Sequence, residues 1–398
     1  MNLPLAEMGR PRSHPKNSKW RGTNMPRSLA YERENALNAI CPYFTMFPLE
    51  YPLGVLKAHE AQSPVIMDPF CGRGTTLFAA RKLGLTARGI DSSPIAVAIA
   101  RAKLAKVNIE AVLKLAETYI EEHSNIRTPE TEFFQHAYSP TVLRAICSVR
   151  QGLLNTSNDT DDTSILRAAM LGCLHGPLNK SHDNLSYFSN QMPRTFAPKP
   201  DYSVRYWAAK NLNAPEVNLL EVLRKKLTRL AWNQYAKVGK ISCVRHGDSR
   251  LAASLPSSSR DFSIVITSPP YYGMRTYVED QWLRNWFVGG PDHVMYGNDS
   301  QLQHSGIDVF AKSLGQVWRN MGRTRADDLD MYIRFGIIPS RKVDAKALIQ
   351  ASLEESRVGW EIIRVRQAKT ASSGKRQADH MATDSSAAVE YDFHVRRL

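Results

Sequence analysis

Two short segments of this chain place residues that can do chemistry at the ends of apolar runs. The first is TSPPYYG (267–273), which closes the run FSIVIT (262–267). Consecutive prolines fix φ and lack N–H groups, so they end a strand's ladder and leave rigid carbonyl acceptors. Ser268 adds a hydroxyl, and Tyr271 and Tyr272 add flat faces. Acceptors beside a stacking ring suit a planar heterocycle that carries an exocyclic amine. The second segment is DPFCGRGTT (68–76), which follows the apolar VIMD (65–68). Gly72 and Gly74 allow a tight turn and close ligand approach, and the helix that follows offers unpaired N–H groups. Asp91 lies 23 positions after Asp68, near the ~20 at which a carboxylate grips a ribose hydroxyl in nucleotide-binding α/β units. No GKT or GKS lysine follows the glycines, which disfavours a triphosphate loop. A Pro-rich loop after a strand is the plainer account of TSPPYYG alone; beside the glycine turn that account recedes.

The elements that must position these segments read as α/β. VIMD is a strand, TTLFAARKLG (75–84) a helix closed by Gly84, ARGID (87–91) a strand, and PIAVAIARAKLA (94–105) a helix with Pro94 in its first turn. Strand and helix alternating at this spacing signal a parallel sheet. The alternation then breaks, and 106–236 carries helical periodicity around an irregular stretch, NLSYFSNQMPRTFAPKPDYSVRYW (184–207). Long loops in compact domains are more often functional than accidental. Strands resume at ISCVR (241–245), FSIVIT (262–267), MYIRFGIIP (331–339), WEIIRVR (360–366) and VEYDFHV (389–395), for seven in all. The expected organisation is a basic arm over 1–28, a catalytic domain built from 29–105 and 237–398, and a helical insertion over 106–236 that is a candidate target-recognition region.

The chain of 398 residues carries 52 Lys and Arg against 38 Asp and Glu, a net charge of +14. Such an excess puts nucleic acid first among partners. No apolar run approaches the roughly 18 residues of a membrane span, and 1–28 is basic and Pro-rich without an apolar core. The five cysteines are scattered with no CxxC pair; reduced thiols in a cytoplasmic protein are the expectation, with no membrane association. Nor do the eleven histidines show metal-ligand spacing, and no metal is expected.

With these motifs in order, the chain resembles the amino-methylating (cytosine-N4 and adenine-N6) DNA methyltransferases. DPFCGRGTT resembles their motif for S-adenosyl-L-methionine (AdoMet), and TSPPYYG their catalytic motif, the SPPY form being most typical of the cytosine-N4 type. CPYFTMFP (41–48) resembles the segment that packs on the cofactor's methionine end, RGID (88–91) the ribose-binding acid, and HGDS (246–249) the wall of the adenine pocket. The resemblance covers about 41–105 and 241–398. It implies a seven-stranded, Rossmann-like AdoMet-dependent methyltransferase sheet with a helical insertion. The implied cofactor contacts are Phe47, Asp68, Pro69, Phe70, Gly72, Gly74, Thr75, Asp91, Ser92 and Asp248. The implied catalytic residues are Ser268, Pro269, Pro270 and Tyr271.

The expected reaction is methyl transfer to the N4 amine of a cytosine flipped out of double-stranded DNA, in a restriction-modification or related defence system with a cognate endonuclease as a candidate partner. Ser rather than Asp at 268 favours cytosine, since a hydroxyl can also donate to the ring. Adenine-N6 methylation, RNA methylation and a catalytically silent DNA- or AdoMet-binding protein stay open as alternatives. Arg73 is equally placed to meet the cofactor carboxylate or to lie on the surface. Tyr277, Trp282, Trp286 and Phe287 could face DNA, though the spacing of Trp282 and Trp286 suits a helix's core face. KKLTR (225–229) reads as a solvated helix face, and SSGKRQADH (372–380) as a basic DNA-facing loop or a plain hairpin connection.

Overall fold

The computed structural model describes residues 29–43, 48–177, 185–231, 242–255, 257–273, 279–296, 302, 305–337, 343–368 and 389–398. The basic arm, Phe47, Tyr277 and the 372–380 segment lie outside them. Seven strands form one mixed sheet: β1 (Val65–Asp68), β2 (Thr86–Asp91), β3 (Cys243–His246), β4 (Ile264–Thr267), β5 (Asp330–Gly336), β6 (Trp360–Gln367) and β7 (Glu390–Arg397). Their spatial order is β3-β2-β1-β4-β5-β7-β6. The first five are parallel, while β7 runs antiparallel between β5 and β6. This is the seven-stranded α/β sheet that the motifs led to the expectation of.

Thirteen helices accompany the strands among the described residues: α1 (Leu29–Glu34), α2 (Glu50–His59), α3 (Thr75–Lys82), α4 (Pro94–Leu104), α5 (Ile109–Glu122), α6 (Glu132–Ala137), α7 (Pro140–Asn155), α8 (Asp161–Cys173), α9 (Pro200–Ala209), α10 (Leu219–Leu230), α11 (Trp282–Phe287), α12 (Ile307–Met321) and α13 (Ala345–Glu355). Their starts follow from sequence. Ser93, Asn108, Ser139, Thr160 and Asn218 each accept an N–H of the first turn, and Pro94 and Pro140 sit where a missing N–H costs nothing.

The period-2 alternation of strand side chains divides the interior into two layers. Ile66, Ile264 and Ile266 face one layer with α3, α4 and the helices of the insertion. Met67 and Val265 face the other, with α12 and α13. The insertion therefore shares a hydrophobic core with α3 and α4, chiefly through α8 on α4 and α5 on α7 and α8. Trp282 and Trp286 are buried in that core, as their spacing suggested. In KKLTR, Lys225, Thr228 and Arg229 are exposed while Leu227 is buried.

The order of strands decides where a ligand can sit. From β1 the chain steps outward to β2 and β3, then returns to lay β4 on the other side of β1. From β1 the chain enters α3 in one layer, and after β4 it passes through α11 of that same layer to α12 in the other; such a reversal of strand order is where ligands of open α/β sheets sit, in the crevice beyond the strands' carboxyl ends. Asp68 ends β1 and Thr267 ends β4. The two segments with chemistry in them meet at this switch point.

Candidate active site

Asp68 is 1% exposed, and its Oδ1 accepts from the Thr267 hydroxyl at 2.7 Å and from the Phe70 N–H at 3.2 Å. The carboxyl thus clasps the first residue of TSPPYYG to the turn that follows β1. Burial pushes its pKa up to about 7, against the pull of hydrogen bonds from Thr76, Thr267 and the Phe70 N–H. Beyond Asp68 the turn leans on β2, where the Cys71 N–H donates to the Ile90 carbonyl at 3.0 Å. Gly89 in β2 makes room for it: a Cβ there would fall 2.8 Å from the Cys71 Cβ and 2.9 Å from its Sγ. Burial, then the charges of Asp91 and Asp68, push the Cys71 thiol up, which favours its protonated form.

Gly72 and Gly74 both adopt the left-handed backbone that favours glycine, with φ of 48° and 76°. At Gly74 a Cβ would also meet the Ala100 Cβ at 2.9 Å, because the start of α3 lies hard against α4. At Gly72 a Cβ would meet nothing within 4 Å, so the turn borders open space there. The half-buried Asp91 lies against it: Oδ2 accepts from the Gly72 N–H and Oδ1 from the Ser93 N–H, each at 2.8 Å. Burial raises the Asp91 pKa, and these donors oppose the shift. The Tyr43 hydroxyl donates to the Ser93 Oγ at 3.3 Å, which brings the described part of CPYFTMFP to the end of β2. Ser249 donates to the Pro69 carbonyl at 2.6 Å, tying HGDS to the same turn.

Two side chains have partners that sequence reasoning did not anticipate. Asp248 is ion-paired with Arg250, which donates to it from Nε at 2.9 Å and from a terminal nitrogen at 2.6 Å. Arg73 neither lies on the surface nor extends into the crevice: it is 7% exposed and donates to the Asn38 carbonyl. Desolvation lowers its pKa to about 10.

In TSPPYYG, Ser268, Pro270 and Tyr271 are half-buried, while Thr267 and Pro269 are buried. The prolines interrupt the ladder, and Tyr272 resumes it in a bridge to Ile337 beyond the end of β5. Tyr272 packs edge-on against Phe310, with ring centroids 5.4 Å apart. Tyr271 meets Phe335 edge-on at 5.6 Å and donates its hydroxyl to the Glu390 carboxylate at 2.7 Å. Gly336 makes way for this pair, since a Cβ there would lie 3.0 Å from Glu390 and 3.1 Å from the Tyr271 ring. Glu390 and Thr267 went unnoticed as site residues in the sequence, because their partners lie 119 and 199 positions away. Gly89 did carry a signal, for a glycine inside a strand often marks a close backbone approach.

Behind the crevice, Arg284 of α11 is fully buried. It donates to the carbonyls of Pro42, Leu171, Arg194 and Thr195 and to the Gln281 side chain, at 2.9–3.1 Å. One guanidinium thus gathers the 41–43 segment, α8, the irregular 185–199 loop and α11. No group of three or more His, Cys, Asp or Glu suited to a metal occurs among the described residues, and none of their helices is long and apolar enough to cross a membrane.

Residues 5–102 match a family model described as DNA methylase. Over 84 residues the chain is 37% identical to the Type II methyltransferase M.MjaII of Methanocaldococcus jannaschii, a match spanning 21% of this chain and 16% of that relative's length. Two structures of the rRNA methyltransferase aviRa from Streptomyces viridochromogenes align over 93% of this chain and 96% of theirs at 14% identity, with TM-scores of 0.33 and 0.32.

Proposed function

We propose that this chain, similar over residues 5–102 to a DNA methylase family model, is an amino-methylating DNA methyltransferase that methylates the exocyclic N4 amine of cytosine. The observation that carries this reading is the clasp between Asp68 and Thr267, which holds a glycine turn and an SPPY turn together at the switch point of the sheet. AdoMet supplies a methyl group on a sulfonium when bound. The open space at Gly72, bordered by Asp91, fits such a ligand. Pro69, Phe70, Gly72, Gly74 and Thr75 would line it from the β1 turn, Asp91 and Ser92 from the end of β2, Phe47 from the preceding motif, and Asp248 from HGDS. Asp68 would act from beneath, by fixing the turn.

The target amine is a weak nucleophile because its lone pair is delocalised into the ring. The Ser268 hydroxyl and the Pro269 carbonyl would accept its two N–H groups, favouring a more tetrahedral nitrogen and stabilising the positive charge that develops on it. Tyr271, anchored at its hydroxyl by Glu390 and at its edge by Phe335, would stack on the base. Reaching that amine inside a duplex requires the nucleotide to be flipped out. Thr267 carries Ser268 on a clasped backbone, so positioning supplies much of the rate. Ser268 is the basis for placing cytosine before adenine, since its hydroxyl can turn to donate to the ring nitrogen of cytosine.

The test is to incubate the protein with AdoMet and unmethylated duplex DNA, digest to nucleosides and analyse by mass spectrometry. N4-methylcytosine is expected. N6-methyladenine would keep the site and overturn the base, and the absence of both products would overturn the reading. Ser268→Ala should abolish methylation while DNA is still retained.

A further inference from the structure

The irregular loop and α9 leave an unusual surface beside the catalytic segment. Ser203 and Trp207, one turn apart, form the buried face of α9. Trp207 donates its indole N–H to the Gln191 carbonyl at 3.2 Å and packs on Phe133 at 5.3 Å. Flanking that face, Tyr202 and Tyr206 are also one turn apart, 58% and 44% exposed and stacked on each other at 6.2 Å with an interplanar angle of 15°. Arg205, next to Tyr206 in sequence, is exposed as well. Close by, Lys199 lies 5.2 Å over the ring of Tyr296, which is 68% exposed, and 3.9 Å from Glu279. A scattered exposed aromatic needs no explanation, but a stacked exposed pair with a third exposed ring under a neighbouring lysine does. The segment 194–210 also exposes four cations, Arg194, Lys199, Arg205 and Lys210, against one acid, Asp201.

This surface is fastened to the chain that leaves the catalytic turn. The Ala197 N–H donates to the Asp280 carbonyl at 2.9 Å, Gln281 to the Thr195 carbonyl at 2.7 Å and Trp282 to the Pro198 carbonyl at 3.2 Å. Arg284 holds the Arg194 and Thr195 carbonyls from within. Residues 280–284, which hold the surface by these direct bonds, follow Gly273 closely in sequence.

We infer that the outer face of α9, together with Lys199 and Tyr296, grips the sugar-phosphate backbone of duplex DNA. The inference rests on the DNA reading above and names the surface that would seat the substrate. Flat rings pack on deoxyribose, their hydroxyls donate to phosphate oxygens, and Arg205 and Lys199 supply the charge that displaces counterions. Contacts of this kind position the duplex without reading its sequence.

Full-length Tyr202→Ser/Tyr206→Ser and Arg205→Gln variants test this, with AdoMet affinity as the check on the fold. For the double variant, duplex Kd and the KM for DNA should rise at least tenfold with kcat little changed. For Arg205→Gln, the slope of log affinity against log salt should become shallower by about 0.9. Values within twofold of wild type for both variants, while the wild type methylates DNA, would overturn the inference. So would weakened binding to an RNA oligonucleotide with duplex affinity intact. A wild type that transfers no methyl group to DNA, with duplex binding still weakened by the substitutions, would sink the functional reading and uphold this surface.

Discussion

The hydrogen bond from Tyr271 to Glu390 offers a quantitative test of how the stacking ring is held. The ring's hydroxyl lies 2.7 Å from the carboxylate, its edge packs on Phe335, and Gly336 leaves room for it. The hydroxyl bond can be removed from either end, leaving the ring and its packing in place. A hydrogen bond to a charged group contributes about 1.5–3 kcal/mol, which corresponds to roughly 10- to 150-fold in an equilibrium or rate. If that bond serves to orient the ring, Tyr271→Phe and Glu390→Ala should each lower kcat/KM for methylation by a factor in this range. The double variant should be no worse than the more damaged single one, giving a coupling energy of the same 1.5–3 kcal/mol. Glu390→Gln keeps an acceptor and should recover most of the activity lost in Glu390→Ala. The assay is steady-state methylation of duplex DNA by all four variants, with thermal melts to confirm that each is folded. Effects that simply multiply, with coupling below about 0.5 kcal/mol, would show that the bond does not act on the ring.

Other consequences follow from the buried groups. The Asp68 carboxyl titrates near 7 in the folded chain against an ordinary 3.8, so the native state keeps a proton that the unfolded chain has released. Its contribution to stability therefore falls as pH rises from about 4 through 7, by on the order of 4 kcal/mol. Asp68→Asn, whose oxygen still accepts from Thr267, should remove that slope in the difference between the two stability–pH curves; parallel curves would refute the assignment. Gly89→Ala should push on Cys71 and cost about 1–3 kcal/mol, with AdoMet affinity falling alongside; calorimetry on the two proteins measures both. Arg284→Met would strand several buried carbonyls and should destabilise by about 3–5 kcal/mol in chemical denaturation, and a loss under 1 kcal/mol would mean that water replaces the guanidinium.

The sequence revealed what is local. VIMD coincides with β1, ARGID is β2 less its first residue, and PIAVAIARAKLA overruns α4 by one. Each is an apolar run bounded by turn residues, so a window of ten positions contains its cause. The Gly72 and Gly74 turn was legible for the same reason, since the need for left-handed backbone is written at the residue that has it. The polar partnerships were not. Asp68 resembles a ligand-binding acid at a strand end, and only the register of β4 beside β1 brings Thr267 to it. Tyr271 could not be paired with Glu390 until β7 was known to lie between β5 and β6. Arg73, open in sequence to the cofactor or the surface, and Arg284 are both buried and satisfied by main-chain carbonyls, which every residue possesses and no residue type advertises. A backbone conformation demands a particular side chain at a particular place. A buried donor asks only for some acceptor within about 3 Å, and strands far apart in sequence can supply it. Motifs thus record the geometry a site imposes on its own chain, while the groups that hold the site in position are recorded in the pairing of strands.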